Sequence, residues 1–166
     1  MLFSFLLFSI AFASPSLQEL AQGEFELILP LEEVQRQRAK ALSETLEASN
    51  IIIRTLAASR LEGQPVICAG YQIQTTERTL SIKCDQFPTI DIQLDGQITQ
   101  YPKDDGSTFD IIAEVNGTSI RQYFQGSTGG LDVVYLFTPE KLIVRKKIDS
   151  DYLGQDLFLE MQYRQK

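Results

Sequence analysis

Histidine and tryptophan are absent from this chain, and cysteine and methionine occur only twice each. Without imidazole there is no Ser-His-Asp or Cys-His nucleophile and no His-ligated metal, which removes most common hydrolase mechanisms. No segment is basic enough to follow a phosphate backbone: 15 Lys and Arg stand against 22 Asp and Glu, for a formal charge of -7 and a pI near 4.6. That balance argues against nucleic acid or anionic lipid as a main partner. No catalytic residue and no cofactor is assigned, since 22 acids are expected in a soluble chain and no spacing singles out a pair.

What the chain does contain is an uncharged start. Met1 to Ala13 is apolar and closes on Ala11-Phe12-Ala13, the small-x-small pattern that precedes signal-peptidase cleavage. The run is too short to cross a bilayer, which takes about 20 apolar residues, so no stable membrane anchor is expected. The chain reads as exported, periplasmic if bacterial and otherwise secreted. Residues 1–13 are the leader, 14–22 a flexible mature N-terminus, and 23–166 one domain.

Gly23 to Leu29 alternates as a short strand ended by Pro30. From Leu31 to Leu61 the period becomes helical, with Val34, Leu42, Leu46, Ile53 and Leu56 on one face and Glu32 and Glu33 at the favourable N-terminal end. Gly63 and Pro65 stop it. A straight helix of that length would measure about 45 Å, more than such a domain spans, so a break is expected at Ser49-Asn50.

After Pro65, period-two segments alternate with turn signals, giving strands over 65–73, 78–84, 89–94, 97–101, 109–115, 118–126, 131–137, 141–148 and 156–164. Asp95-Gly96 and Asn116-Gly117 suit two-residue hairpins, and Thr138-Pro139-Glu140 a longer turn. The second hairpin predicts Val115 opposite Thr118, Ala113 opposite Ile120 and Phe109 opposite Phe124. The fold class is α+β and mainly β: a strand, a long broken helix, then an antiparallel meander of about nine strands closing into a barrel or strongly curved sheet.

Cys68 and Cys84 flank a turn centred on Thr76, and equal counting outward places them opposite each other. In an exported protein they form a disulfide. Asp149-Ser150-Asp151-Tyr152-Leu153-Gly154 with Glu160 nearly satisfies a calcium-loop pattern, but Leu153 holds a ligand position and the flanks read as strands, so the stretch from Asp149 to Asp156 is taken as an acidic hairpin loop. Asp104-Asp105-Gly106 is likewise read as a turn, and no metal ligand is assigned. Asn116-Gly117-Thr118 matches a glycosylation acceptor, although the hairpin already accounts for it. Arg145-Lys146-Lys147 is read as a solvated strand edge. Of Tyr163 and Arg164, only one can face inward.

The order of one strand, a helical segment and about nine antiparallel strands over 23–164 resembles the calycin group, especially the intracellular fatty-acid-binding barrels. The glycine-tryptophan signature of lipocalins is missing, and the Arg-x-Tyr clamp of fatty-acid-binding proteins has no match, because Met161-Gln162 precedes Tyr163. The resemblance implies a non-catalytic module that holds a hydrophobic or amphipathic small ligand between sheet and helix, lined by Ala113, Phe124, Tyr135, Phe137 and Met161. The alternative is a structural or protein-interaction domain with a filled core and no small ligand.

Overall fold

A computed structural model describes residues 16–47, 67–85, 87–102, 108–126, 129–150 and 155–166. The leader, the expected helix break at Ser49-Asn50, the Asp104-Asp105-Gly106 turn and the centre of the acidic loop, Asp151 to Gly154, lie outside them. A helical turn, α1 (Leu17–Leu20), precedes β1 (Gly23–Leu27) and helix α2 (Leu31–Glu47). Nine strands follow: β2 (Gly70–Thr75), β3 (Thr79–Cys84), β4 (Ile90–Gln93), β5 (Thr99–Pro102), β6 (Thr108–Asn116), β7 (Ser119–Gly126), β8 (Gly129–Phe137), β9 (Leu142–Ser150) and β10 (Leu157–Gln165). All strands pair antiparallel in one sheet of order β4-β3-β2-β1-β10-β9-β8-β7-β6-β5, a nearly closed barrel.

Within the expected lead-in, residues 17–20 form a helical turn with its own cap. Ser16 caps α1, with its hydroxyl accepting from the Glu19 N–H while the Glu19 carboxylate accepts from the Ser16 N–H at 2.7 Å, a capping box. Ala21 behind it is fully buried.

β1 ends at Leu27, and helix α2 starts directly after Pro30, whose carbonyl accepts from the N–H groups of Glu33 and Val34. Its buried residues are Val34, Leu42, Thr45 and Leu46, the stripe that helical period dictates. Leu42 and Leu46 pack on Leu157, with Ile148 alongside, while Val34 joins the main core.

Three expectations about pairing are corrected. Asn116 pairs with Ser119, Val115 with Ile120, Ala113 with Gln122 and Ile111 with Phe124, so the turn sits one residue later than expected. Gly117, at φ +60°, is the first central residue, and a lone positive φ there is what a type II′ hairpin needs. Because this slip moves each partner by two residues, the inward face is unchanged. The second correction is that Asp95-Gly96 does not join paired strands. β4 and β5 lie at opposite ends of the sheet, and Asp95, just after β4, bridges instead to Glu114 of β6, where Ile92 of β4 packs against Ile111 and Ala113.

The third concerns the cysteines. The disulfide forms, with S–S 2.04 Å and Cα–Cα 5.5 Å, but Cys84 stands opposite Tyr71, not Cys68. The chain leaves the ladder before Gly70, and Asp85 fills the vacated bonding positions, its carboxylate accepting from the N–H groups of Ala69 and Gly70 at 2.7 Å each. This reach requires the left-handed φ of 47° at Asp85, a region that Asp tolerates better than most residues. Gly70 suits the same close approach, since a Cβ would lie 3.1 Å from the Phe25 carbonyl oxygen.

Candidate functional site

Alternation along the strands separates an outer face of ion pairs from an inner apolar face. Arg121 pairs with Asp132, Arg145 with Glu160, Lys147 with Asp156 and Arg164 with Glu26, all outside. Inside, Phe25, Tyr71, Ile73, Leu80, Ile82, Ile120, Val133, Tyr135, Phe137, Val144, Met161 and Tyr163 form one buried cluster. Tyr163 is therefore the inward member of the Tyr163-Arg164 pair.

Of the five residues read as ligand-lining, Tyr135, Phe137 and Met161 belong to this cluster. Ala113 is fully buried in a second cluster with Ile92 and Ile111, and half-buried Phe124 touches both. A cavity of about 200 Å³ between α2 and β10 takes in Met161 with Val34, Arg38, Ile67 and Leu159. A second, of about 550 Å³, continues along the same helix beside Glu44, Thr45, Gln155 and Leu157.

The interior also holds polar groups that the pattern reading passed over. The Tyr71 ring meets those of Tyr135 and Tyr163 edge-on at 5.9 and 5.0 Å, a geometry that aromatic quadrupoles favour. The Tyr163 hydroxyl donates to the Cys68 carbonyl at 3.0 Å, whereas the Tyr71 hydroxyl and the Thr75 Oγ1, both buried, have no hydrogen-bond partner among the described residues. Burial holds the Tyr71, Tyr135 and Tyr163 phenols well above their ordinary pKa, so these groups stay uncharged donors. Gln122, 2% exposed, is also buried, opposite Val133.

Lys146 overturns the reading of Arg145-Lys146-Lys147 as a solvated edge. β9 is an interior strand between β8 and β10, so only Arg145 and Lys147 point outward. Lys146 faces inward between Val133 and Leu159, 7% exposed. Burial, and then the charge of Arg38 on α2, push its ammonium down to about 8. The signal was in the sequence: Lys146 shares the parity of apolar Val144 and Ile148.

No protein-family model matches this sequence, and no curated protein matches it. Solved structures do match in shape. A fatty-acid-binding protein from brain tissue of Drosophila melanogaster aligns at TM-score 0.51 and 15% identity, over 87% of this chain and 98% of that one. Zebrafish ileal bile-acid-binding protein complexed with cholic acid aligns at 0.52 and 10%, over 87% and 98%. Apo lipid binding protein 8 of Caenorhabditis elegans aligns at 0.53 and 8%, over 87% and 94%. At such identities the likeness shows the fold, and the fold of this chain is the calycin-type barrel of the fatty-acid-binding proteins.

Proposed function

We propose that the protein is an exported, non-catalytic carrier that binds a hydrophobic or amphipathic small molecule inside its barrel. The observation that supports this reading is a nearly closed barrel whose apolar interior keeps two buried hydroxyls, of Tyr71 and Thr75, without partners. Such groups cost about 1–3 kcal/mol each when left unbonded, and a ligand with a polar group inside the barrel would satisfy one of them; four residues apart on β2, they are about 13 Å from each other, too far for one polar end to reach both. The structural neighbours bound to or named for fatty acids, lipids and bile acids support the same class of ligand. Export rests on the apolar Met1 to Ala13 segment and on the Cys68–Cys84 bridge, a bond that oxidising compartments maintain.

A filled core is the second reading, favoured by the close ring contacts of Tyr71, Tyr135 and Tyr163. Native mass spectrometry of protein from its own source separates the two. The carrier reading expects a co-purifying apolar adduct that Ala113→Phe abolishes at little cost in stability. In a filled core the same substitution overpacks a site that is fully buried and destabilises by roughly 1–3 kcal/mol. That result with no adduct overturns the carrier.

A further inference from the structure

The register of the β6–β7 hairpin removes the reason first given for Asn116. Asn-Gly serves a two-residue turn when both residues are central and both need a positive φ. Here the central residues are Gly117 and Thr118, and Asn116 is the last residue of β6, paired with Ser119. Gly117 alone carries the positive φ of this turn, at +60°. The hairpin therefore accounts for Gly117 and not for Asn116.

The side chains of Asn116 and Thr118 do not hold the turn either. The Ser119 hydroxyl donates to the Asn116 carbonyl at 2.7 Å, and the Thr118 carbonyl accepts from the Phe137 N–H at 3.0 Å. Both acceptors are main-chain groups, so the Asn116 amide and the Thr118 hydroxyl take no part. Asn116 and Gly117 are exposed and Thr118 is half-buried. Along β6, Asn116 shares the parity of exposed Glu114, on the outer face, whereas Ile111 and Ala113 of the other parity are fully buried. A Cβ placed on Gly117 would meet nothing within 4 Å, so the tip stands in open space.

What remains to account for Asn116 is its spacing from Thr118. Asn116-Gly117-Thr118 has the form Asn-x-Thr with no proline between, the acceptor of N-linked sugar in exported chains, and the form carries that chemistry where it lies on the surface. The other asparagine, Asn50, is followed by Ile51-Ile52 and is no acceptor.

We propose that Asn116 is an N-glycosylation site, carrying one oligosaccharide on the outer face at the tip of the β6–β7 hairpin. The donor is an oligosaccharide linked to a lipid through pyrophosphate. The Asn116 amide nitrogen bonds to the anomeric carbon of the first sugar, and the bond from that carbon to the pyrophosphate oxygen breaks. The lipid pyrophosphate leaves, the amide gives up one proton, and no electron is exchanged. This rests on the export part of the proposed function and is independent of any ligand inside the barrel.

Intact mass tests it, read on wild-type protein from its own source and on wild type, Asn116→Gln, Thr118→Ala and Thr118→Ser secreted by a eukaryotic cell line. Both wild-type preparations should carry one oligosaccharide, Thr118→Ser should keep it, and Asn116→Gln and Thr118→Ala should lose it with their circular dichroism unchanged. Enzymatic release of the sugar from wild type in heavy-oxygen water needs no variant at all. The releasing amidase leaves an aspartate with one heavy oxygen at position 116, a mark that earlier spontaneous deamidation of Asn-Gly does not supply. A wild-type chain from its own source that starts near Ser14 with Asn116 unmodified removes the site and leaves export standing. One that retains Met1 to Ala13 with Asn116 unmodified removes both. A sugar that persists in Asn116→Gln also overturns the site.

Discussion

Replacing Lys146 by Met should stabilise the ligand-free protein at neutral pH. The ammonium sits inside the barrel between Val133 and Leu159, facing Arg38 from α2. Its pKa falls from 10.5 to about 8, and at about 1.4 kcal/mol per pH unit, charging it in the folded state costs on the order of 3 kcal/mol. Below about pH 8 both states carry the proton and the folded protein bears the whole cost. Between there and 10.5 the folded state has released its proton while the unfolded chain still holds one, so stability rises with pH; above 10.5 the cost is gone.

Met keeps the volume and removes the charge. Urea denaturation should therefore show Lys146→Met ahead by about 2–3 kcal/mol near pH 7, with the lead shrinking toward pH 10. Tyrosine ionisation in the unfolded chain also enters near pH 10 and lowers stability there, but it acts on both proteins and cancels in the difference. A variant no more stable than wild type at pH 7, or a lead that stays flat with pH, would refute the reasoning. A positive result would mark Lys146 as a residue kept at a cost to stability, as functional sites often are.

Reducing the Cys68–Cys84 bridge, or replacing both cysteines with Ala, should lower stability by about 3 kcal/mol, given a sequence separation of 16, read as a drop in denaturation midpoint with the circular dichroism of the folded state retained. Asp85→Ala should cost about 1–2 kcal/mol, because two N–H groups lose their acceptor and a non-glycine residue keeps a positive φ; an unchanged midpoint would remove the role given to this carboxylate. Tyr71→Phe should be neutral or stabilising in ligand-free protein, since its hydroxyl has no partner, whereas Tyr163→Phe should lose about 1 kcal/mol with its bond to Cys68. Reversal of that order in the same denaturation series would contradict the assignment. If the leader is cleaved on export, intact-mass analysis of protein from its own source should give a chain starting near Ser14.

Period-two patterning made the strands readable because each has one buried face, and such a face shows in the sequence without knowledge of its partner. β6 to β10 fall within a few residues of where alternation places them. Partnership is a different quantity. Asp95-Gly96 has the residues of a hairpin, yet β4 and β5 part there because Ile92 gains more by packing on Ile111 and Ala113, a contact no local pattern encodes. Counting outward from Thr76 sets Cys68 opposite Cys84, but Thr75 pairs with Leu80, so the turn is centred between Glu77 and Arg78 and Cys84 falls opposite Tyr71. Lys146 was misread by its neighbours in sequence, since Arg145 and Lys147 belong to the other face. The partnerless hydroxyl of Tyr71 was beyond reach, because whether a buried donor is satisfied depends on groups brought in from other strands.

The strand order β4-β3-β2-β1-β10 gives β1 a duty out of proportion to its five residues. Among the described residues it is the splice between a three-stranded piece, β2 to β4, and a six-stranded piece, β5 to β10, apart from the single bridge from Asp95 to Glu114. The disulfide lies wholly within the smaller piece, so nothing covalent crosses the splice except the chain itself. On the β10 side, the Glu26–Arg164 pair joins residues 138 apart in sequence, and Phe25 sets its ring against Phe137. Without this one short strand the two ladders would be joined side by side by the Asp95–Glu114 bridge alone among the described residues, and the pieces would depend on contacts across the interior, such as Tyr71 with Tyr135 and Tyr163 and Ile92 with Ile111.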